Sequence, residues 1–233
     1  MEKLCYVVWK PTSVSGSAFR DAMLRDAVPA LRACGAMRIS MLVADEHAEA
    51  LRKARITREG VPIAGLVSLW LDCVDAHPQI EAVLRRHASR LAGYLVTESV
   101  VLPNTTRVAA PDGRTPGVTM LALLEKPERL SFEEWIAVWF GQHSPLALEI
   151  QCTHLYVRNV VVCALTPDAP PWRGIVEEGF PAEAVTNPML WYKADGDPQK
   201  MRENLGRMIA SVRAFLDIER VESHPLTEYR IPD

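Results

Sequence analysis

Two stretches of twenty residues decide the fold: residues 10–29, KPTSVSGSAFRDAMLRDAVP, and residues 126–145, KPERLSFEEWIAVWFGQHSP. One shift of 116 residues places Lys10-Pro11 over Lys126-Pro127, Ser15 over Ser131, Phe19 over Trp135 and Pro29 over Pro145. Chance is a poor explanation for four matches at a single shift. The chain is therefore predicted to contain a tandem duplication.

Two weaker matches extend this repeat toward the end of each half. Gly65–Val67 aligns with Gly174–Val176 at a shift of 109, and Glu98-Ser99 aligns with Glu222-Ser223 at a shift of 124. Insertions and deletions in loops produce such small changes of shift. We therefore expect both halves to share one order of secondary-structure elements.

Apolar, β-branched runs and amphipathic runs alternate in the same order in each half. The expected strands are residues 3–9, 37–44, 61–71, 93–102, 118–124, 153–165, 174–180 and 218–223, and the expected helices are residues 17–33, 78–91, 131–150 and 198–216. The order is βαββαβ twice, the split βαβ arrangement of a ferredoxin-like fold.

The stretch from Pro103 to Gly117 separates the halves, because its three prolines and two glycines are typical of a connection. We therefore predict a first ferredoxin-like unit over residues 1–103, a linker over 104–117 and a second unit over 118–233.

Two helices cover only one face of a four-stranded sheet, so the other face must be buried against something else. A second copy on the same chain supplies that partner. The predicted fold class is α+β: two tandem ferredoxin-like (βαββαβ) units whose antiparallel sheets face each other and pack into an intramolecular α/β barrel.

Composition excludes several classes of function. Hydrophobic residues make up 48 % of the chain and the net charge is −3, which gives no basic field for nucleic acid. No apolar stretch approaches the roughly 20 residues of a membrane helix. The five cysteines show no CxxC spacing, which argues against a disulfide framework or zinc site. We expect a cytoplasmic protein without metal.

The halves differ where chemistry is possible. A polar residue opposite an inert one indicates a site that only one half has kept. The differing positions are His143 over Ala27, Glu177 over Ser68, Glu178 over Leu69, and His154 and Tyr156 in a strand whose counterpart, residues 37–44, has no His or Tyr. The second unit is therefore predicted to carry the site, and the first is predicted to be degenerate.

Helical spacing places Trp135, Trp139 and His143 on one aromatic face, which we expect to point inward. Pro145 lacks an N–H and disfavours helical geometry at Ser144. A kink beside His143 is the expected result, with room for a pocket.

Strand geometry adds further candidates. His154, Tyr156 and Arg158 alternate onto one face of their strand. Glu177 and Glu178 are adjacent, so they point to opposite faces and only one can join His143. The pattern does not say which.

The helix and third strand of the second half resemble a known family. Ser131-Phe-Glu-Glu-Trp135 followed by Trp139, His143 and Pro145, together with Val176-Glu-Glu-Gly-Phe180, is similar to the signature of EthD-domain proteins. The resemblance implies a fold of the dimeric α/β-barrel superfamily with a pocket between helices and sheet. That superfamily includes cofactor-free monooxygenases, lactone isomerases, cyclases, dehydratases and haem-using enzymes.

The first hypothesis is a cofactor-free lyase, dehydratase or isomerase for a small apolar, aromatic or alicyclic catabolic intermediate. His143 would be the general acid or base, Glu177 or Glu178 its partner, and Tyr156 a donor to an oxyanion. Side chains expected to contact the substrate are Trp135, Trp139, His154, Arg158, Trp191 and Tyr192.

Three alternatives remain open at this point: a non-catalytic binding or accessory protein, a cofactor-free monooxygenase, and haem ligation by His143. The expected partner is a small apolar molecule rather than nucleic acid or membrane, and a homodimer is also possible.

Overall fold

The computed structural model describes residues 1–58 and 60–232. The strands are β1 Glu2–Trp9, β2 Met37–Val43, β3 Gly65–Leu71, β4 Arg90–Leu102, β5 Val118–Leu124, β6 Leu155–Ala164, β7 Gly174–Phe180 and β8 Glu222–Arg230. The α-helices are α1 Gly16–Ala22, α2 Val28–Ala33, α3 Glu46–Glu49, α4 His77–Leu84, α5 Phe132–Val138, α6 Ser144–Ile150, α7 Pro188–Trp191 and α8 Pro198–Phe215. Short 3-10 turns occupy Arg52–Ala54, Val74–Ala76, Ala182–Thr186 and Ile218–Arg220.

The eight strands close into one barrel in the order β1-β3-β2-β8-β5-β7-β6-β4, and every neighbouring pair is antiparallel. The first half contributes β4-β1-β3-β2 and the second contributes β8-β5-β7-β6, which is the same order of equivalent strands. Two seams, β2–β8 and β4–β6, join the halves. The predicted fold class is confirmed.

The strand register corrects one of the sequence matches. Tyr94 lies opposite Cys5, and His224 lies opposite Leu121. Cys5 and Leu121 correspond at the shift of 116, so Tyr94 corresponds to His224, a shift of 130. The alignment of Glu98-Ser99 with Glu222-Ser223 is therefore wrong, and Glu98 corresponds to Glu228.

Three expected boundaries also differ. Helix α4 ends at Leu84, and Leu91 extends the apolar pattern only because it is buried on β4. The last strand runs from Glu222 to Arg230 instead of residues 218–223. Pro225 lies within this strand, and a proline is unusual there, so the sequence pattern predicted an earlier end. The third strand begins at Gly65 rather than at residue 61.

Both prolines of the repeat are accommodated by a π-helical turn and not by a break. Met23–Ala27 connects α1 to α2, and Trp139–His143 connects α5 to α6. Each turn ends two residues before the proline, whose ring would clash with the carbonyl four residues earlier in a regular α-helix. Ser144 is helical (φ −62°, ψ −46°), so the expected loss of helical geometry there is wrong.

The barrel separates two kinds of interior. Residues such as Cys5, Leu66 and Leu121 pack inside the barrel, whereas their sequence neighbours pack against the helices outside it. Each half therefore has its own helix–sheet layer. None of the helices in residues 1–58 and 60–232 is long and apolar enough to cross a membrane.

A buried carboxylate ties the halves together beside the shorter seam. Asp45, at the N-terminus of α3, accepts hydrogen bonds from Thr227 Oγ1 and Tyr229 Oη of β8, each at 2.6 Å. It also accepts from the backbone N–H of His47 and Ala48 at 3.0 and 3.3 Å. Four donors thus compensate the burial of this charge.

We expect Asp45→Ala to lower the free energy of unfolding by roughly 3–5 kcal/mol, because two buried hydroxyl groups lose hydrogen bonds to a charged acceptor and α3 loses its N-cap. The measurement is urea denaturation. Asp21→Ala is the matched control, because Asp21 is 56 % exposed and pairs with the same Arg20 that approaches Asp45. Equal, small losses in both variants would show that the Asp45 network does not stabilise the fold.

Candidate active site in the second helix–sheet layer

A cavity of about 360 Å³ lies in the helix–sheet layer of the second half, mainly between α8, the second π-turn and strands β5 to β7. Its walls are mostly apolar, with four titratable side chains among them. These four are His143, Tyr156, Glu178 and Tyr192, and apolar wall residues include Ile56, Ala122, Trp139, Val176, Trp191, Met208 and Phe215.

One pair of equivalent residues accounts for the different packing of the two helix–sheet layers. Ala122 lines the cavity, and its counterpart in the first half is Tyr6. The Tyr6 ring is fully buried among Phe19, Met23 and other core side chains. Tyr6 also packs directly over Gly93, where an added Cβ would lie 2.4 Å from the ring.

Phe19 and Met23 fill the first layer as part of this core, but Trp70 does not. Trp70 pairs with Lys3, which points into the barrel, and Arg38 stacks over its ring at 5.7 Å. Tyr6 of β1, and not Trp70 of β3, therefore fills the space in the first half that is equivalent to the cavity.

His143 ends the second π-turn and lines the cavity. Its Nδ1 lies 3.0 Å from Ser211 Oγ of α8, and its ring lies 4.7 Å from the ring of Phe215. Burial lowers the pKa of His143 to about 4. The imidazole is therefore neutral at pH 7, with Nε2 as the ring nitrogen that Ser211 does not use.

Glu178 is the carboxylate that shares the cavity with His143. On β7 it lies opposite Met120 and Tyr156, both of which face the helices. Burial among apolar side chains raises its pKa to about 7. Near neutral pH this carboxyl group can therefore both release and accept a proton.

Tyr156 is held by a hydrogen-bond chain. Ser144 Oγ donates a hydrogen bond to the Trp139 carbonyl oxygen at 2.9 Å. The Tyr156 hydroxyl lies 3.3 Å from Ser144 Oγ, and because the Ser144 proton is already used, Tyr156 is the donor in this second hydrogen bond. Burial raises the pKa of Tyr156 above its usual range. Its proton is thus committed to Ser144, which favours a positioning role over donation to a substrate.

Four of the predicted site residues do not line the cavity. Glu177 points into the barrel, where it accepts from Asn159 at 3.0 Å. Trp135 is fully buried behind Trp139, with ring centroids 4.8 Å apart. The other two are His154, which precedes β6 and packs on Gly179, and Arg158, which lies 3.6 Å over the Phe140 ring.

Trp191 and Tyr192 do line the cavity, and both are partly exposed. Trp191 stacks on Phe180 with ring centroids 3.8 Å apart. The first half also contributes Ile56, whose backbone forms a bridge to Ser223 of β8. Sequence reasoning missed Ile56 and Ala122; only the Ala122–Tyr6 contrast at the shift of 116 was visible in the sequence.

The cavity does not suit a haem, the group used by some members of the superfamily that the chain resembles. The lining described for it contains no Lys or Arg that could pair with haem propionates. Its volume also lies at the small end of ligand cavities. This lining therefore does not support haem ligation by His143.

Known structures share the fold but little sequence. The crystal structure of an anthrone oxidase-like protein aligns with a TM-score of 0.58 at 10 % identity, covering 99 % of this chain and 91 % of that one. A candidate monooxygenase from Fusobacterium nucleatum subsp. nucleatum aligns with a TM-score of 0.52 at 10 % identity, covering 100 % and 94 %. A dye-decolorizing peroxidase from Bacteroides thetaiotaomicron aligns with a TM-score of 0.51 at 10 % identity, covering 98 % and 93 %.

No protein-family model matches the chain, and no curated protein matches it by sequence. At such low identities the structural matches establish the fold of the dimeric α+β barrel proteins. The specific EthD family is not established by them.

The raised pKa of Glu178 predicts a pH-dependent stability difference between the protein and Glu178→Gln. The unfolded chain loses this proton near pH 4.5, but the folded protein keeps it to about pH 7. As the pH rises from 4.5 to 7, the free energy of unfolding of the wild type should therefore fall, relative to that of the variant, by on the order of 3 kcal/mol. Denaturant titrations at pH 4.5, 6 and 8 measure the difference.

The comparison isolates Glu178 because both proteins retain His143. The lowered pKa of His143 has the opposite effect, since it costs stability as the pH falls from 6.5 to about 4. Glu183→Gln, at an exposed position after β7, is the matched surface control. A constant difference for Glu178→Gln across this range would contradict the assignment.

Ala122→Tyr should fill the cavity, as Tyr6 fills its equivalent, when it is combined with Ser223→Gly, because Ser223 faces residue 122 where Gly93 faces Tyr6. We expect the wild type to bind 2-naphthol, a small aromatic probe that suits the apolar walls, and its affinity, measured by calorimetry, to fall at least tenfold in this variant, since overlap with a tyrosine ring leaves no room for an aromatic ligand. Ala122→Ser keeps the small side chain and should bind as wild type does. Unchanged binding in the double variant would place the ligand elsewhere.

Proposed function

We propose that the protein is an enzyme that transfers a proton from carbon in a small, mostly apolar substrate with an enolisable carbonyl group. The observation that carries this proposal is the pair Glu178 and His143 in one apolar cavity, with a pKa near 7 for the first and a neutral ring for the second. The expected reaction class is isomerase or lyase.

Glu178 acts as the general base. Its carboxylate takes a proton from the carbon next to the substrate carbonyl, and the electron pair of the C–H bond moves to form an enolate. A base whose pKa lies near the working pH combines a useful ionised fraction with sufficient basicity. Because apolar groups surround it, the carboxylate is also poorly solvated and readily accepts the proton.

His143 stabilises the enolate oxygen as a neutral donor. If Ser211 donates to Nδ1, the proton of the imidazole lies on Nε2, the nitrogen left for the cavity. A neutral imidazole with a lowered pKa is a known electrophile for carbonyl oxygens. This assignment gives His143 the oxyanion role first predicted for Tyr156, while Tyr156 holds Ser144 and the second π-turn in place.

The walls define the substrate class. Trp139, Phe215 and Trp191 supply flat apolar surfaces, which suit an aromatic or alicyclic molecule. Glu178 then returns its proton to another carbon in an isomerase, or an adjacent leaving group departs in a lyase. Both outcomes use only the residues described.

A cofactor-free oxygenase is the second candidate, and the likeness to the anthrone oxidase-like protein and the candidate monooxygenase favours it. The first step is the same proton transfer. The carbanion then gives electrons to O₂, one oxygen atom remains on carbon as a carbonyl, and the other leaves as water with the two hydrogens of a methylene group. For anthrone the product is anthraquinone.

The family assignment and the degenerate first unit belong to the same proposal. The resemblance of residues 131–145 and 176–180 to EthD-domain proteins supports the former. The degenerate first unit is supported by two equivalent positions: the first half has Tyr6 where the second has Ala122, and Leu69 where the second has Glu178. A non-catalytic accessory protein would use the same cavity without turnover.

Anthrone is a suitable probe because deprotonation of its methylene group produces an aromatic enolate. We expect the wild type to accelerate deuterium exchange at that carbon in D₂O under argon, followed by NMR. Glu178→Gln should slow the exchange by about 10²–10⁴-fold, as is typical for a general base. His143→Ala should slow it by about 10²–10³-fold, as for an oxyanion donor, with little change in Tm.

Oxygen uptake in air separates the candidates. Exchange without uptake supports the isomerase or lyase, whereas one O₂ consumed per anthrone with formation of anthraquinone supports the oxygenase. Glu183→Gln is the surface control for both assays. Anthrone that binds but neither exchanges nor oxidises faster than in buffer would contradict an enzyme of this class and favour the accessory protein.

A further inference from the structure

A second cavity, of about 340 Å³, lies at the end of the barrel where β1 begins and β4 and β8 end. Three carboxylates line it, from Glu98, Glu177 and Glu228, and all three project from interior-facing positions. Glu228, for example, lies opposite Leu42, a member of the barrel-interior cluster. This barrel-end cavity is separate from the helix–sheet cavity, with which it shares no lining residue.

One ammonium group lies among these carboxylates. Lys3, only 4 % exposed, forms ion pairs with Glu98 and with Glu177, the latter at 3.7 Å. Glu177 also accepts from Asn159 Nδ2 at 3.0 Å. Glu98 and Glu177 therefore both have cationic or polar partners inside the barrel.

Glu228 is less completely compensated. It is 6 % exposed, and its Oε2 is buried without a hydrogen-bond partner among the described residues. Its other oxygen is 3.3 Å from Nε of Arg230, a side chain that is half exposed at the rim. A buried carboxylate oxygen without a donor is costly, so a ligand that donates to it gains a charge-assisted hydrogen bond.

We propose that the barrel-end cavity binds a small organic cation, a protonated aliphatic amine, through Glu228. In the interior three carboxylates face one ammonium, whereas the two arginines of the lining, Arg38 and Arg230, are exposed at the rim, so an added positive charge is favourable beside Glu228. No group of three His, Cys, Asp or Glu side chains in residues 1–58 and 60–232 is placed to hold a metal ion. A cation on an apolar stem suits the apolar wall residues Val100, Leu155 and Val157.

The two arginines at the rim of the cavity, Arg38 and Arg230, already have partners, which favours an amine over an anion as the ligand. Arg230 is bonded to Glu228, and the Arg38 guanidinium lies 5.7 Å over the Trp70 ring. Both cations therefore already interact with groups of the protein, whereas the interior contributes the uncompensated acceptor. An anion would have to enter a layer in which carboxylates outnumber the buried cation.

Calorimetric titration with n-butylamine and 1-butanol at low ionic strength and pH 7 tests this proposal. The two ligands share size and stem, but only the amine carries a charge. We expect the amine to bind and the alcohol to bind at least tenfold more weakly. Glu228→Gln should weaken amine binding about tenfold or more, because a charge-assisted hydrogen bond becomes a neutral one.

Glu222→Gln is the matched control, since Glu222 lies on the same strand and is as buried as Glu228. Its two oxygens, however, have hydrogen-bond partners in the Arg58 backbone N–H and His224 Nε2. Its amine affinity should equal that of the wild type. Val100→Lys adds a cation at a rim position that is 52 % exposed, and it should weaken amine binding without disturbing the interior.

Several results would overturn the proposal. Equal binding of butanol and butylamine would show a merely apolar cavity, and preferential binding of butyrate would show an anion site at the rim arginines. No binding of butylamine to the wild type would show that water and Arg230 satisfy Glu228. Full binding to both Glu228→Gln and Val100→Lys would place the amine elsewhere.

Discussion

Closure of the barrel is the constraint on which the other features depend. A four-stranded sheet leaves two edge strands whose N–H and C=O groups need partners. In this chain β2 pairs with β8 and β4 pairs with β6, so each half satisfies both edges of the other. The β2–β8 seam is short, and the Asp45 hydrogen bonds to Thr227 and Tyr229 reinforce it. Once closed, the barrel has an interior and an outer face, and alternation along each strand assigns every side chain to one of them.

That alternation separates two adjacent carboxylates into different environments. Glu178 faces α8 in an apolar layer, and its pKa is raised to about 7. Glu177 faces the barrel interior, where Lys3 and Asn159 compensate its charge. The same residue type therefore supplies a proton acceptor on one side of β7 and an ion-pair partner on the other.

The proline-linked π-turns determine where the helix side chains lie. Both halves contain the turn, so it is a property of the repeated fold and not of the site alone. In the second half it carries Trp139 and His143, while Gly174 of β7 lets the Trp139 ring approach, since a Cβ there would lie 2.8 Å from the ring. The Ser144 hydroxyl donates a hydrogen bond to the Trp139 carbonyl oxygen within this wider turn. The site thus combines a shared backbone irregularity with side chains that only the second half has.

The sequence by itself determined the duplication, the order of elements, the fold class and the concentration of polar candidates in the second half, because these depend on local patterns and on comparison at one shift. His143, Tyr156, Glu178, Trp139, Trp191 and Tyr192 line the cavity, while Glu177, Trp135, His154 and Arg158 lie outside it. Only the tertiary structure decided between Glu177 and Glu178, because period-two alternation separates neighbours without saying which face is which. It also revealed Ala122, Ile56 and the charged barrel end, because an absent side chain, a loop from the other half and charges from distant strands meet only when the barrel closes.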